Sequence, residues 1–201
     1  MATVPTKTVQ TALLAWQDVA SNAQAISSSF DCSSKWSGSF GISIARRTGT
    51  AFTAGWPNVR IEASKKASPD NASWIPLYTY QPNIGGAIVN TTLSGAVSAN
   101  ASTFVVASAT NIAKGDILFL GDSSTSNYEL VRVKSLSGTT ITPEQNVVFA
   151  HANSAIVTDQ TEVVFPALDL KGYVYIRAVA DNAGSGQDIS VEVTLTTFDS
   201  F

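Results

Sequence analysis

Apolar and polar residues alternate along most of this chain. Phe40-Gly41-Ile42-Ser43-Ile44-Ala45-Arg46 and Val59-Arg60-Ile61-Glu62-Ala63 repeat with a period of two, as a strand with one buried face does. Tyr128 to Val133 and Tyr173 to Val179 follow the same rule, and Ile189 to Thr196 is the cleanest alternation present. Trp74 to Tyr80 is aromatic and extended, and Pro76 marks it as an edge strand or a strand entry. Between these runs lie turn clusters: Arg47-Thr48-Gly49-Thr50, Ser68-Pro69-Asp70-Asn71, Ser137-Gly138-Thr139 and Asp181 to Gly186. Many short strands punctuated by Gly, Asn and Pro predict an all-β sandwich or barrel. One stretch is ambiguous. In Thr8 to Ala25, Val9, Leu13, Trp16 and Ala20 recur at helical spacing. Ser and Asn crowd its second half, which favours an extended arm over residues 1–28.

The pattern divides the chain. All four tryptophans (Trp16, Trp36, Trp56 and Trp74) precede residue 87, and residues 87–159 are dominated by Ser, Ala, Thr and Val. Within that zone, Thr103 to Val106 and Ile117 to Leu120 read as strands separated by a reversal at Gly115-Asp116. Glycine permits positive φ there, and Asp bonds the local backbone. The strands after the zone read as the missing part of the sheet begun before it. Gly85-Gly86 and Thr158-Asp159-Gln160 form natural hinges. The expected organisation is a discontinuous β-sandwich, residues 29–86 plus 160–201, interrupted by a small inserted β-domain, residues 87–159. Sandwich loops accept such insertions where their ends lie close together.

Composition narrows the function classes. Of 201 residues, 44% are hydrophobic and only 13% charged, against about a quarter charged in ordinary globular domains. The resulting Ser/Thr/Ala/Asn surface is neutral and hydrogen-bonding, and suits a protein packed against others. The net charge is −3, and Arg46-Arg47 and Lys65-Lys66 are isolated pairs. No cationic face is available to displace the counterions of a nucleic acid. Cys32 is the only cysteine, so no intrachain disulfide forms. Met1 to Lys7 lacks a signal-peptide pattern. No apolar run reaches the roughly 20 residues of a membrane span. Synthesis in a cytoplasm and no membrane partner are the expectation.

No motif carries catalysis, so no catalytic, cofactor-binding or metal-ligating residue is assigned. His151 is the only histidine, and no serine sits in G-x-S-x-G. Cys32 and His151 are the only thiol–imidazole pair, two ligands short of a tetrahedral zinc site. Asp116, Asp122 and Glu129 are the best candidates for calcium or paired-carboxylate chemistry. They fall in turns and at a strand end without a D-x-D-x-D-G loop, and read as structural. No P-loop or dinucleotide fingerprint is present. The tryptophans offer the alternative. Trp74 starts a strand and is assigned to the core; Trp36 and Trp56 flank polar loops, where an exposed ring stacks on a sugar or fills an interface.

The inserted segment carries "A-x-x-I-x-x-G-D" at Ala109 to Asp116, "E-x-V-x-V" at Glu129 to Val133, "S-G-T-T-I-T" at Ser137 to Thr142 and "A-H-x-x-x-A-x-V" at Ala150 to Val157. In this order it resembles a small β-module of tailed-bacteriophage structural proteins. The flanks carry "V-x-I-E-A-S" at Val59 to Ser64, "W-I-P-L" at Trp74 to Leu77, and two closing strands at Tyr173 to Asn182 and Ile189 to Leu195. They resemble a phage virion jelly roll. The resemblance implies a jelly-roll-like sandwich with a small β-barrel-like insert. It also implies a non-enzymatic virion protein, made in the bacterial host cytoplasm, that decorates or cements a capsid. Its partners would be the major capsid protein or other virion proteins and further copies of itself, a trimer on family grounds. The N-terminal arm is the candidate for subunit exchange or capsid contact. A head–tail accessory protein and a carbohydrate-binding tail or surface adhesin using Trp36 or Trp56 are the alternatives. A glycan hydrolase would need two carboxylates across a cleft.

Overall fold

The computed structural model describes residues 7–9, 12–47, 57–82, 90–122, 127–158, 161–184 and 186–199. Trp56, the Gly85-Gly86 hinge, Asp159-Gln160 and Ser185 lie outside them. The described residues are strand and turn throughout, with a single 3₁₀ turn at Asn71–Ser73. The chain is all-β. It divides into two compact units, one comprising Met1–Ile44, Phe52–Asn83 and Glu162–Phe201, the other Ala45–Ala51 and Ile84–Thr161.

In the first unit the strands alternate between two antiparallel sheets. β1 (Lys7–Val9) and β2 (Leu14–Val19) belong to the first sheet, and β3 (Gln24–Ile26) and β4 (Phe30–Asp31) to the second. β5 (Lys35–Arg46) returns to the first, and β6 (Asn58–Ser64) and β7 (Ile75–Tyr80) to the second. After the insert, β14 (Thr161–Val164) and β15 (Ala167–Asp169) pair with β5, β16 (Tyr175–Asp181) joins the second sheet and β17 (Ile189–Asp199) the first. This repeated crossing gives the jelly-roll-like sandwich. Alternation fixes which side chains enter it: Phe40, Ile42 and Ile44 from β5, Val59 and Ile61 from β6, and Val191, Val193 and Leu195 from β17 are all buried. β7 ends its sheet, and Pro76 sits beside a register irregularity there. An edge is where a residue without an N–H donor is tolerated.

The described part of the N-terminal segment is extended, as the Ser- and Asn-rich second half of Thr8 to Ala25 favoured over a helix. That part is folded back on its own chain. β2 pairs with β17 from Leu14↔Val193 to Val19↔Ile189, and β3 pairs with β16 from Gln24↔Asp181 to Ile26↔Val179. Leu14 and Val19 face inward. Their burial, too widely spaced for a helical turn, is what lays the arm on the sheets.

The second unit contains β8 (Asn90–Thr92), β9 (Phe104–Val105), β10 (Ile117–Asp122), β11 (Asn127–Ser137), β12 (Thr140–Pro143) and β13 (Ile156–Thr158). They form one sheet in the order β8-β13-β10-β11-β12-β9. The sheet curls until its edges meet. Leu93 bridges Val106, the Ser94 amide donates to the Val105 carbonyl at 2.9 Å, and the Ala107 amide donates to the Thr92 carbonyl at 2.8 Å. Closure removes the exposed edges that would otherwise pair with other chains. Leu118, Leu120, Val131, Val133, Ile141 and Val157 fill the interior.

The Gly115-Asp116 reversal follows its chemistry. Gly115 has φ +96°, a region that penalises any Cβ. Asp116 Oδ2 accepts the Ala113 amide at 2.7 Å, and Val133 donates to the Asp116 carbonyl at 2.9 Å. One boundary differs from the sequence reading. Gly121-Asp122 continues β10 instead of ending it. The Phe119 ring lies within 2.5 Å of where a Gly121 Cβ would stand and stacks on Tyr128 at 5.9 Å. Glycine is needed there for space.

Candidate functional site

The second unit brings Glu129 and His151 together. By alternation Glu129 shares a face with Val131 and Val133, and its register partner is Leu120, so its side chain enters the end of the barrel. His151 is held opposite by reciprocal backbone bonds with Val97, both at 2.9 Å. The His151 Nε2–H donates to Glu129 Oε1 at 2.6 Å. The Val148 amide donates to Oε2 at 2.8 Å and the Phe149 amide to Oε1 at 3.1 Å. Burial pushes the Glu129 carboxyl upward, but His151 and the two amides outweigh it and hold the group below the usual range. Both side chains are almost fully covered, and His151 Nδ1 is buried with no hydrogen-bond partner among the described residues. The pair therefore clasps the segment between β12 and β13, whose Val148 and Phe149 side chains stand exposed.

The other carboxylate candidates also serve the backbone. Asp122 Oδ2 accepts the Ala152 amide at 2.8 Å, and Asp116 closes its own turn. Among the described residues no three His, Cys, Asp or Glu side chains gather where a cation could sit. Cys32 is fully buried. Burial, reinforced by the Asp31 charge, pushes its thiol up to about 11, so it stays protonated at neutral pH and is a poor nucleophile. Cys32 and His151 belong to different units.

In the first unit the tryptophans divide by position. Trp74 is corrected from core to half-buried: the Arg177 guanidinium lies 4.3 Å from its ring centroid. Arg177 also donates to Glu62 at 2.8 Å, and Arg60 bridges Glu62 at 3.0 Å and Asp181 at 3.1 Å. The ring is thus the apolar base of a charged lattice on the second sheet. Trp36 is 44% exposed. It lies at the end of β5 on the face that buries Phe40 and Ile42 farther along. There Trp36, Ala167, Leu168, Asp169, Phe198 and Asp199 border an open groove of about 590 Å³. The Lys171 ammonium stands 5.7 Å from the Trp36 centroid, Lys35 pairs with Asp199, and Asp169 Oδ1 accepts the Lys171 amide at 2.9 Å.

The pairing of Glu129 with His151 was missed by sequence reasoning, which treated the two as separate candidates. The available signal was register: the alternation that buries Val131 and Val133 also buries Glu129, and a buried carboxylate requires a partner. Phe165, 75% exposed, falls between β14 and β15 and carries the most exposed large apolar side chain described.

No family model matches this chain, and no curated protein matches it. Among solved structures, the Gp54 tailspike of Acinetobacter baumannii bacteriophage AP22, in complex with A. baumannii capsular saccharide, is similar at 25% identity over 38% of this chain, with a TM-score of 0.31. The chain spans 15% of that tailspike's length. The SPBc2 prophage-derived protein YomS is similar at 9% identity over 99% of this chain and 98% of its own, with a TM-score of 0.28. Both neighbours are phage or prophage proteins; the geometric likeness is too low to carry an argument about this chain.

Proposed function

We propose that this chain is a non-enzymatic structural protein of a tailed-phage virion, and most specifically one that decorates or cements the capsid. The observation that carries the reading is where the polar chemistry goes. Glu129, His151, Asp116 and Asp122 bind their own chain, and Cys32 is buried and protonated, so the reactive side chains are committed to architecture. Apolar groups left outside, among them Phe165, Val148, Ile26, Ile75, Trp36 and Phe149, offer adhesive surface. The ordered module motifs at Ile112 to Asp116, Glu129 to Val133 and Ala150 to Val157 add the resemblance to virion proteins. A near-neutral surface suits this role because contacts that do not rely on charge lose little to salt screening. Its partners are the major capsid protein or other virion proteins, together with copies of itself. The second reading, a carbohydrate-binding tail or surface adhesin, is favoured by the open Trp36 groove.

A density map of intact particles tests the first reading. The expected result is this chain in many copies across the head lattice. A few copies at one vertex would mean a head–tail accessory protein, and copies confined to the tail tip would favour the adhesin. Absence from purified particles would overturn the virion assignment.

A further inference from the structure

The Trp36 groove lies wholly within the first unit. Trp36 stands on the core-facing side of β5, where rings are normally covered, yet much of it is open to solvent. The lining is part apolar and part polar: Trp36, Ala167, Leu168 and Phe198 are apolar, while Asp169 and Asp199 are carboxylates and Ser37 carries a hydroxyl. A pyranose has the same division, with C–H faces that stack on an indole and a rim of hydroxyl donors. A purely apolar protein surface would leave carboxylates desolvated without donors, which is costly. The polar rim is also pre-set. The Lys171 amide orients Asp169, and Lys35 holds Asp199. The lining carries two carboxylates and no cation, with Lys35 and Lys171 beside it as counter-charges, which favours an uncharged sugar over an acidic one. Its volume of about 590 Å³ falls within the roughly 300–1,000 Å³ of small-ligand clefts.

We propose that this groove binds a neutral pyranose unit of a polysaccharide, its ring stacked on Trp36 and its hydroxyls donating to Asp169. The proposal deepens the adhesin reading and rests on it. A negative sugar result would leave the particle copy count untouched, and the two can fail separately.

The test titrates the full chain with neutral tetrasaccharides (cellotetraose, maltotetraose, mannotetraose and chitotetraose) and with tetragalacturonic acid, following the Trp36 indole N–H resonance. At least one neutral sugar should move that resonance and bind more tightly than the acidic one. Trp36→Ala should weaken binding by about tenfold, the scale of one aromatic stacking contact. Trp36→Phe should recover part of the loss with the fold retained, and Asp169→Asn should weaken binding at an unchanged melting temperature. Phe165→Ala, which removes an exposed ring outside the groove, should leave affinity unaltered. The proposal is overturned if no neutral sugar perturbs Trp36, if the acidic sugar binds best, or if Phe165→Ala weakens binding as much as Trp36→Ala.

Discussion

Glu129 stands where its strand would ordinarily place an aliphatic residue, and its three bonds make that position stable. Deleting it with Glu129→Ala would strand the His151 Nε2–H and the Val148 and Phe149 amides without an acceptor. The expected loss in denaturant melts is at least about 1–3 kcal/mol, the cost of leaving a buried donor unsatisfied. Glu129→Gln keeps an acceptor and should lose less. The pH dependence has a defined sign. The carboxyl is held below its unfolded value, so its contribution is fully present above the unfolded pKa of about 4.3. It is lost as the pH falls through the lower folded value. In wild type the Val148 and Phe149 amides should lose hydrogen-exchange protection on that acid limb. Glu129→Gln should flatten it, and an acid limb identical in the two proteins would contradict the clasp.

The strands themselves were legible because alternation needs only the side chain and its period. Which strands pair was less so, and the corner between β16 and β17 shows why. Asn182 is fully buried, and its amide nitrogen donates to the carbonyls of Val19, Ala20 and Gln187 at 2.9, 3.1 and 2.8 Å. Its backbone exchanges bonds with Asn22 and Ala23 across the chain. The turn residues Asp181 to Gly186 announce a reversal, but nothing local says that an asparagine there will tie down the end of β2. Asn182→Ala should cost about 1–3 kcal/mol through the unsatisfied carbonyls, with faster amide exchange in β2 and β3. Asn182→Asp, which replaces the donor by an acceptor facing carbonyls, should be worse; equal stability of all three proteins would refute the corner role. The same limit hid the Glu129–His151 contact and moved Trp74 out of the core. Each depends on a neighbour far along the chain, Trp74 on Arg177 and Glu129 on His151. Trp36 was legible as exposed because its Lys35 and Ser37 neighbours are polar, but the groove needed β15 and β17 beside it.

At the scale of the whole molecule, the division into two compact units predicts that each can be weakened on its own. The barrel core is built from its own strands, with Ile141 fully buried among Leu118, Val133 and Val157. In the first unit, Ile61 of β6 is fully buried. A truncation at either position should cost about 2–5 kcal/mol through lost burial and the cavity left behind. Where a core is local, the loosening is local, because hydrogen exchange proceeds through contiguous opening units. Ile141→Ala should therefore raise exchange in β10, β11, β12 and β13 while β6, β16 and β17 keep wild-type protection. Ile61→Ala should do the reverse. That outcome bears on the proposed role, since a virion component whose units open one at a time can lose one contact surface without losing the other. Should each variant loosen the strands of both units equally, the chain opens as a single cooperative body, and that consequence for its adhesive surfaces does not hold.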